Sequence, residues 1–369
     1  MSSDAEQNRF AALERAFKDA LAHTIDGPYG QVSTLWAGLL EGRDNFPNYD
    51  QFAGSLRRDA SFAVGIGMGT RKPLDAATYA RQFESWVERV VGVFEPEDLA
   101  RWPEPRLGSP TIVEHAGYRG SVLYIKNYSQ VHLQLALLRK HGHRASGLKI
   151  LEIGAGYGGV AEILVRMGVA SRYTIVDLPN NLFLSSQFLS LNFPDRHAAI
   201  CDRANPTSFK HADLRFVLPN DIEFLDDEGF DLVINTASLG EMPAATAQAY
   251  VTWVSRHLSH DGIFISHNAD HVRDLSEVVQ RHSDYGYQQF LFRAVYPNAA
   301  AGGPLHIQHL VLVLLKAGVT RQAFDWIKLD QLGALLNLGL NHEVDRVSGL
   351  VNAPDQTLGP VFFEPAFPG

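Results

Sequence analysis

Three glycines, two carboxylates and a run of polar residues downstream carry most of the chemistry this sequence offers. The segment Ile150–Gly159 reads I-L-E-I-G-A-G-Y-G-G, and Gly154, Gly156 and Gly159 satisfy G-x-G-x-x-G. Glycines so spaced let the chain turn sharply after a strand and approach a ligand closely beside the next helix N-terminus. Glu152 stands just before the turn. Asp177 closes the next apolar run, I-V-D-L-P, where a carboxylate can accept hydrogen bonds from ribose hydroxyls. Together these residues describe a nucleotide-cofactor pocket. The glycines alone fit NAD or FAD, S-adenosylmethionine, or a tight strand–helix turn with no ligand.

Such residues act only if strands and helices hold them at one edge of a sheet. From Leu148 onward apolar strand runs alternate with helical patterns: 149–154, 172–177, 214–219, 230–236 and 262–267 as strands, with helices from Gly159 to Arg166 and after Leu182, Ala244 and Val272. That alternation predicts a mostly parallel sheet covered on both faces. The last two runs, 290–297 and 309–316, are separated by a glycine-rich loop too short for a helical crossover, so they pair as an antiparallel hairpin. Before Leu148 the patterns are helical. Residues 5–23 place Phe10, Leu13, Phe17 and Leu21 at helical spacing, further helices fall near 33–42, 48–60 and 75–93, and one spans about Val122 to His141. The stretch from Phe94 to Gly120, rich in proline, glycine and charge, reads as a connection. The expected organisation is a helical region over 1–145 (acceptor binding, lid or oligomerisation), a cofactor-binding catalytic domain over 146–318, and a C-terminal helix and tail over 319–369.

Three features favour S-adenosylmethionine. Glu152 suits a cationic amino group and would repel a pyrophosphate. The late hairpin matches a methyltransferase sheet, and the glycine turn follows about 145 residues, whereas many dehydrogenases open with it. The segments E-I-G-A-G-Y-G-G and I-V-D-L-P resemble motifs I and II of class I S-adenosylmethionine-dependent methyltransferases. F-D-L-V-I-N-T-A-S-L-G-E-M-P, residues 230–243, resembles the bacterial sugar O-methyltransferase family. The resemblance implies a Rossmann-like α/β sheet of seven strands ending in the antiparallel hairpin, preceded by the helical region. It places Glu152, Gly154, Gly156 and Gly158 around the methionine and ribose end, Asp177 on the ribose and Leu178 beside the adenine. Asp221 would take the adenine amino group, unless it is simply a turn aspartate after Pro219-Asn220. Asn235 and Thr236, ending the fourth strand, would face the transferring methyl. Tyr128, with Tyr124, Asn127 and His132, would cover the cofactor, or else form an aromatic face packed on the sheet.

Methyl transfer is an in-line attack on a carbon activated by cationic sulfur, so the protein must align the reactants, exclude water and relieve the hydroxyl of its proton. Glu241 and the run S-H-N-A-D-H, with His267, Asn268, Asp270 and His271, supply candidates. Bland roles compete: Glu241 as a helix-start carboxylate, His267 as a half-buried strand histidine, Asp270 as a helix cap, His271 on the surface. Magnesium is a further candidate assistant, without diagnostic ligand spacing.

Composition narrows the partners. A formal charge of −9 over 369 residues, without a lysine- or arginine-rich cluster, argues against nucleic acid. No apolar run is long enough to span a bilayer, and the polar N-terminus lacks the pattern of a signal peptide. The one cysteine, Cys201, excludes an internal disulfide or a cysteine-built zinc site. The expectation is a cytoplasmic enzyme, a homodimer by preference, transferring a methyl group to a hydroxyl of a sugar or glycosylated small molecule. Another small-molecule or peptide acceptor, an NAD-dependent oxidoreductase, and a non-catalytic cofactor-binding protein stand as alternatives.

Overall fold

The computed structural model describes residues 3–32, 37, 46–57, 75–91, 94–140, 145–205, 207, 209–225, 229–269, 287–297 and 306–316. The helices expected near 33–42 and after Val272, and the C-terminal tail, lie outside these residues, as does His271.

Strands β3 (Leu148–Ile153), β4 (Ala170–Val176), β5 (Ala198–Ile200), β6 (Leu214–Val217), β7 (Phe230–Thr236), β8 (Leu258–Ala269), β9 (Tyr287–Pro297) and β10 (His306–Lys316) form one sheet in the order β5-β6-β4-β3-β7-β8-β10-β9. All neighbours from β5 to β8 are parallel, and β10 is antiparallel to both β8 and β9. The seven expected strands are present. An eighth, β5, is only three residues long and escaped notice because so short a run shows no periodicity.

From β3 the chain runs to β4, out to the edge strand β5 and back to β6 between them, then crosses to β7 on the other side of β3. The crevice at such a reversal, outside the carboxyl ends of the strands, is where open parallel sheets bind ligands. The glycine turn leaves β3 at this point.

Helices α1 (Ser3–Ala22), α2 (Tyr49–Ser55), α3 (Ala76–Val90), α4 (Pro96–Arg101), α5 (Val122–Lys140), α6 (Gly159–Arg166) and α7 (Pro179–Asn192) contribute to one core, which covers the sheet face carrying Ile150, Ile175, Ile234, Ile263 and Ile265. The opposite face, with Leu151, Val233 and Phe264, packs on α8 (Ala244–His257). On α1, Phe10, Leu13, Phe17 and Ala20 are buried, and Phe10 and Phe17 meet Phe183 of α7 edge-on. Burying a phenylalanine is worth roughly 1.5–3 kcal/mol, so these rings join the N-terminal helices to the sheet through one core.

The stretch from Phe94 to Gly120 is more ordered than a plain connection: it forms α4 and a hairpin of β1 (Val113–His115) with β2 (Tyr118–Gly120). A buried ion pair between Arg57 and Glu104 fastens it, and Glu104 also accepts from the backbone N–H and hydroxyl of Ser121, both at 2.6 Å. Burying charge is costly unless partners are supplied; Glu104 has Arg57 and Ser121, and Arg57 Nη1 also donates to Pro105 O at 2.9 Å. No described helix is long and apolar enough to cross a membrane.

Candidate functional site

Gly154, Gly156 and Gly158 all adopt positive φ, at 76°, 60° and 88°, a region open to glycine and strained for other residues. Gly154 also lacks room: a Cβ there would collide with the side chain of Ser238. Gly158 packs closely under Ser185 and Leu189 of α7, so its role is to bring turn and helix together. Asp177 closes the cradle from β4. Its Oδ2 accepts from Gly156 N at 2.8 Å, while Oδ1 accepts from Leu178 N at 2.7 Å and Asn181 Nδ2 at 3.3 Å. The carboxylate placed on the ribose by sequence therefore also shapes the turn. Burial pushes it up to about 7 against these donors. Leu178, next in the chain, is half-buried at the start of α7.

Glu152 is buried beneath the turn and accepts from the Tyr173 hydroxyl at 2.8 Å. Burial raises it to about 8, opposed by that hydrogen bond and assisted by the Asp177 charge. A carboxyl protonated at neutral pH becomes a charged partner once a cation arrives.

Successive strand residues point to opposite faces, and this divides the remaining candidates. Thr236 and His267 are register partners on β7 and β8, on the α5-side face that also carries Glu152 and Ile234. Asn235 points the other way, into a buried network. Its Nδ2 donates to Ile153 O at 2.7 Å and to Ser238 Oγ; its Oδ1 accepts from Asn268 Nδ2 at 2.9 Å, Ser266 Oγ at 3.3 Å and Leu239 N at 3.3 Å. Asn268 Oδ1 in turn accepts from Gly240 N at 3.1 Å. Asn235, expected to face the methyl, has its donors and acceptor engaged in holding the segment from Ala237 to Glu241. In that segment Ala237 has a φ of +57° and donates its N–H to His267 O at 2.8 Å. Glu241 ends a short 3-10 turn, half-buried, just before α8.

His267 is 6% exposed and lies under α5, where its Nδ1 is 2.9 Å from Gln130 Oε1. Burial pushes the imidazole down to about 4, and the Lys126 charge adds to the shift. With Gln130 accepting, Nδ1 carries the proton and Nε2 the lone pair. Gln130 was missed in the sequence because nothing along a helix announces which residue will meet a strand end.

Helix α5 separates two residues expected to cover the cofactor. Tyr128 donates to Asp98 O at 3.1 Å and packs edge-on against Phe94 at 4.8 Å, so it belongs to the helical layer and not to the glycine turn. Asn127, one position earlier, instead donates to the Tyr157 hydroxyl at 2.8 Å and lies against Gly159. A shift of one residue rotates a side chain by about 100° around the helix, which decides the matter.

Just beyond the carboxyl end of β6 Asp221 is fully buried. Its Oδ1 pairs with Arg203, and its Oδ2 has no hydrogen-bond partner among the described residues. Burial raises this carboxyl, with Arg203 opposing. The segment after α1 crosses this corner: Asn220 Oδ1 accepts from Tyr29 N and Gly30 N, both at 3.1 Å, and Asn220 Nδ2 donates to Ile25 O at 2.8 Å. Among the described residues no group of three or more His, Cys, Asp or Glu is placed to hold a metal ion.

No family model and no curated protein matches this chain. Similar solved structures include the magnesium protoporphyrin IX methyltransferase ChlM of Synechocystis PCC 6803 with bound SAM, at 14% identity over 52% of this chain and 80% of that one, TM-score 0.36. A S-adenosylmethionine-dependent methyltransferase from Clostridium acetobutylicum is also similar, at 14% identity over 52% of this chain and 92% of that one, TM-score 0.36. A third is the putative RNA methyltransferase PH1948 from Pyrococcus horikoshii, at 14% identity over 52% of this chain and 85% of that one, TM-score 0.32. At these scores the likenesses add nothing to what the strand order itself says: the sheet is the Rossmann-like one expected of class I methyltransferases.

Proposed function

We propose that this chain is a S-adenosylmethionine-dependent O-methyltransferase acting on a hydroxyl of a small molecule. The observation that carries the reading is the glycine turn at the reversal point of the sheet, with the buried carboxyls of Glu152, Asp177 and Asp221 at or just beyond the carboxyl ends of β3, β4 and β6. Their chemistry fits the three polar parts of the cofactor: Glu152 for the ammonium, Asp177 for ribose hydroxyls, and Oδ2 of Asp221, without a hydrogen-bond partner among the described residues, for the adenine amino group. Bound there, the cofactor would supply a methyl carbon activated by cationic sulfur.

The chain's own residues would do the rest. His267, neutral and with its lone pair on Nε2, accepts the proton of the acceptor hydroxyl; Thr236 stands beside it on the same face. Glu241, at the end of the segment pinned by Asn235 and Asn268, would orient the acceptor. A sugar acceptor rests on the resemblance of residues 230–243. A phenolic or enolic acceptor is favoured by a different observation: an imidazole held down to about 4 is a weak base, better matched to an acidic hydroxyl than to an aliphatic alcohol.

Thermal melting with S-adenosylhomocysteine and with NAD tests the cofactor, since a ligand that binds only the folded state raises the melting temperature. Stabilisation by S-adenosylhomocysteine alone is expected; the reverse pattern defeats the reading. A panel of sugars and phenols, read as S-adenosylhomocysteine release, identifies the acceptor class. His267→Ala is expected to lower kcat at least 100-fold, within the usual contribution of a general base. Turnover unaffected by EDTA would assign proton removal to the protein, whereas loss restored by magnesium would assign it to a metal.

A further inference from the structure

Gln130 is one of two buried amides on α5, with Gln134, and its Oε1 sits 2.9 Å from Nδ1 of His267. We propose that Gln130 is the positioning residue of the candidate base, holding the imidazole as the Nδ1–H tautomer with the lone pair on Nε2. This rests on the reading of His267 as the base.

A free imidazole exchanges its proton between both nitrogens and rotates about its side-chain bonds. An acceptor fixed by packing selects one tautomer and one ring orientation, which aligns the reacting lone pair in advance. An amide does this without adding charge. A carboxylate in its place would stabilise the imidazolium and raise the proton affinity of the ring; the amide leaves His267 neutral through the physiological range. Helix α5 reinforces this, because Lys126 lies one turn before Gln130 and its charge disfavours the imidazolium. Position 130 therefore sets both the orientation of the base and its strength.

The test is nitrogen-15 NMR of histidine-labelled full-length protein, with the His267 signals assigned by their loss in His267→Ala. The expected result for the native chain is a protonated Nδ1 and an unprotonated Nε2 across pH 5–8. Gln130→Leu should give mixed tautomers, while Gln130→Glu should keep the Nδ1 proton and raise the ring's titration by at least one pH unit. Affinity for S-adenosylhomocysteine should stay within about twofold in Gln130→Glu, which reports an intact fold and cofactor site. A native protein with the proton on Nε2, or a Gln130→Glu protein titrating as the native one does, overturns the proposal. These readings need no acceptor. They are separate from the base assignment, which fails if His267→Ala retains full turnover.

Discussion

Glu152 and Asp177 are carboxyls that folding removes from water without giving either a cationic partner among the described residues. Their folded-state values, about 8 and about 7, lie above their ordinary values of 4.5 and 3.8. The folded chain therefore holds these protons more tightly than the unfolded chain. Their contribution to stability is full below about pH 4 and is lost as pH rises through 7 and 8. Without ligand, the urea midpoint should fall between pH 5 and pH 8. Glu152→Gln, which keeps the shape and removes the ionisation, should flatten the upper part of that fall. The same substitution should weaken S-adenosylhomocysteine binding at least tenfold, about 1.4 kcal/mol, because the ligand's ammonium loses its charged partner. Native affinity should rise with pH toward 8 as Glu152 gives up its proton, and calorimetry in buffers of different ionisation enthalpy should detect that release. A pH-independent affinity would mean that the ammonium sits elsewhere.

The segment between β7 and α8 is held by the side-chain amides of Asn235 and Asn268 together with the backbone bond from Ala237 N to His267 O. Asn235→Ala would take from Leu239 N its side-chain acceptor and leave Asn268 Nδ2 only Ser266 Oγ and Ile153 O only Ser238 Oγ as side-chain partners; a buried group left unpaired costs about 1–3 kcal/mol. A total near 2–4 kcal/mol is expected, read as a lower urea midpoint, with turnover falling as Glu241 loses its position. Gly154→Ala should be worse for two reasons, its φ of +76° and the collision with Ser238. Adding Ser238→Gly should recover the part due to the collision and leave the backbone strain, so the double variant should bind S-adenosylhomocysteine better than Gly154→Ala alone. If the two substitutions are simply additive, the contact is not what excludes a side chain there.

Across the whole molecule, the N-terminal helices share a core with the sheet. Phe10 and Phe17 of α1 pack on Phe183 of α7, and Gln187 of α7 donates back to Phe10 O at 3.1 Å. The segment after α1 continues onto Asn220, beside the corner assigned to the adenine. Removing residues 1–30 should therefore expose that core and uncover the corner together, giving an aggregating protein that fails to bind S-adenosylhomocysteine. Asn220→Ala is the milder test: a folded protein, with S-adenosylhomocysteine affinity reduced a few-fold as the segment loosens. Unchanged affinity would separate that segment from the site.

The strand–helix alternation, the late hairpin and the glycine turn were legible in the sequence because each depends on local rules: periodicity, loop length and the positive φ that glycine tolerates. Glu152, Asp177 and Asp221 were legible for a related reason, since residues at strand ends share one edge once the strands are parallel. Neighbouring residues are another matter. Asn235 and Thr236 look alike in the sequence, and so do Asn127 and Tyr128, yet in each pair the two side chains serve different surroundings. Strand alternation separates the first pair, and the rotation of α5 against the sheet separates the second. The partner of His267 belongs to the tertiary structure alone, because Gln130 stands 137 positions away and only packing brings the two together.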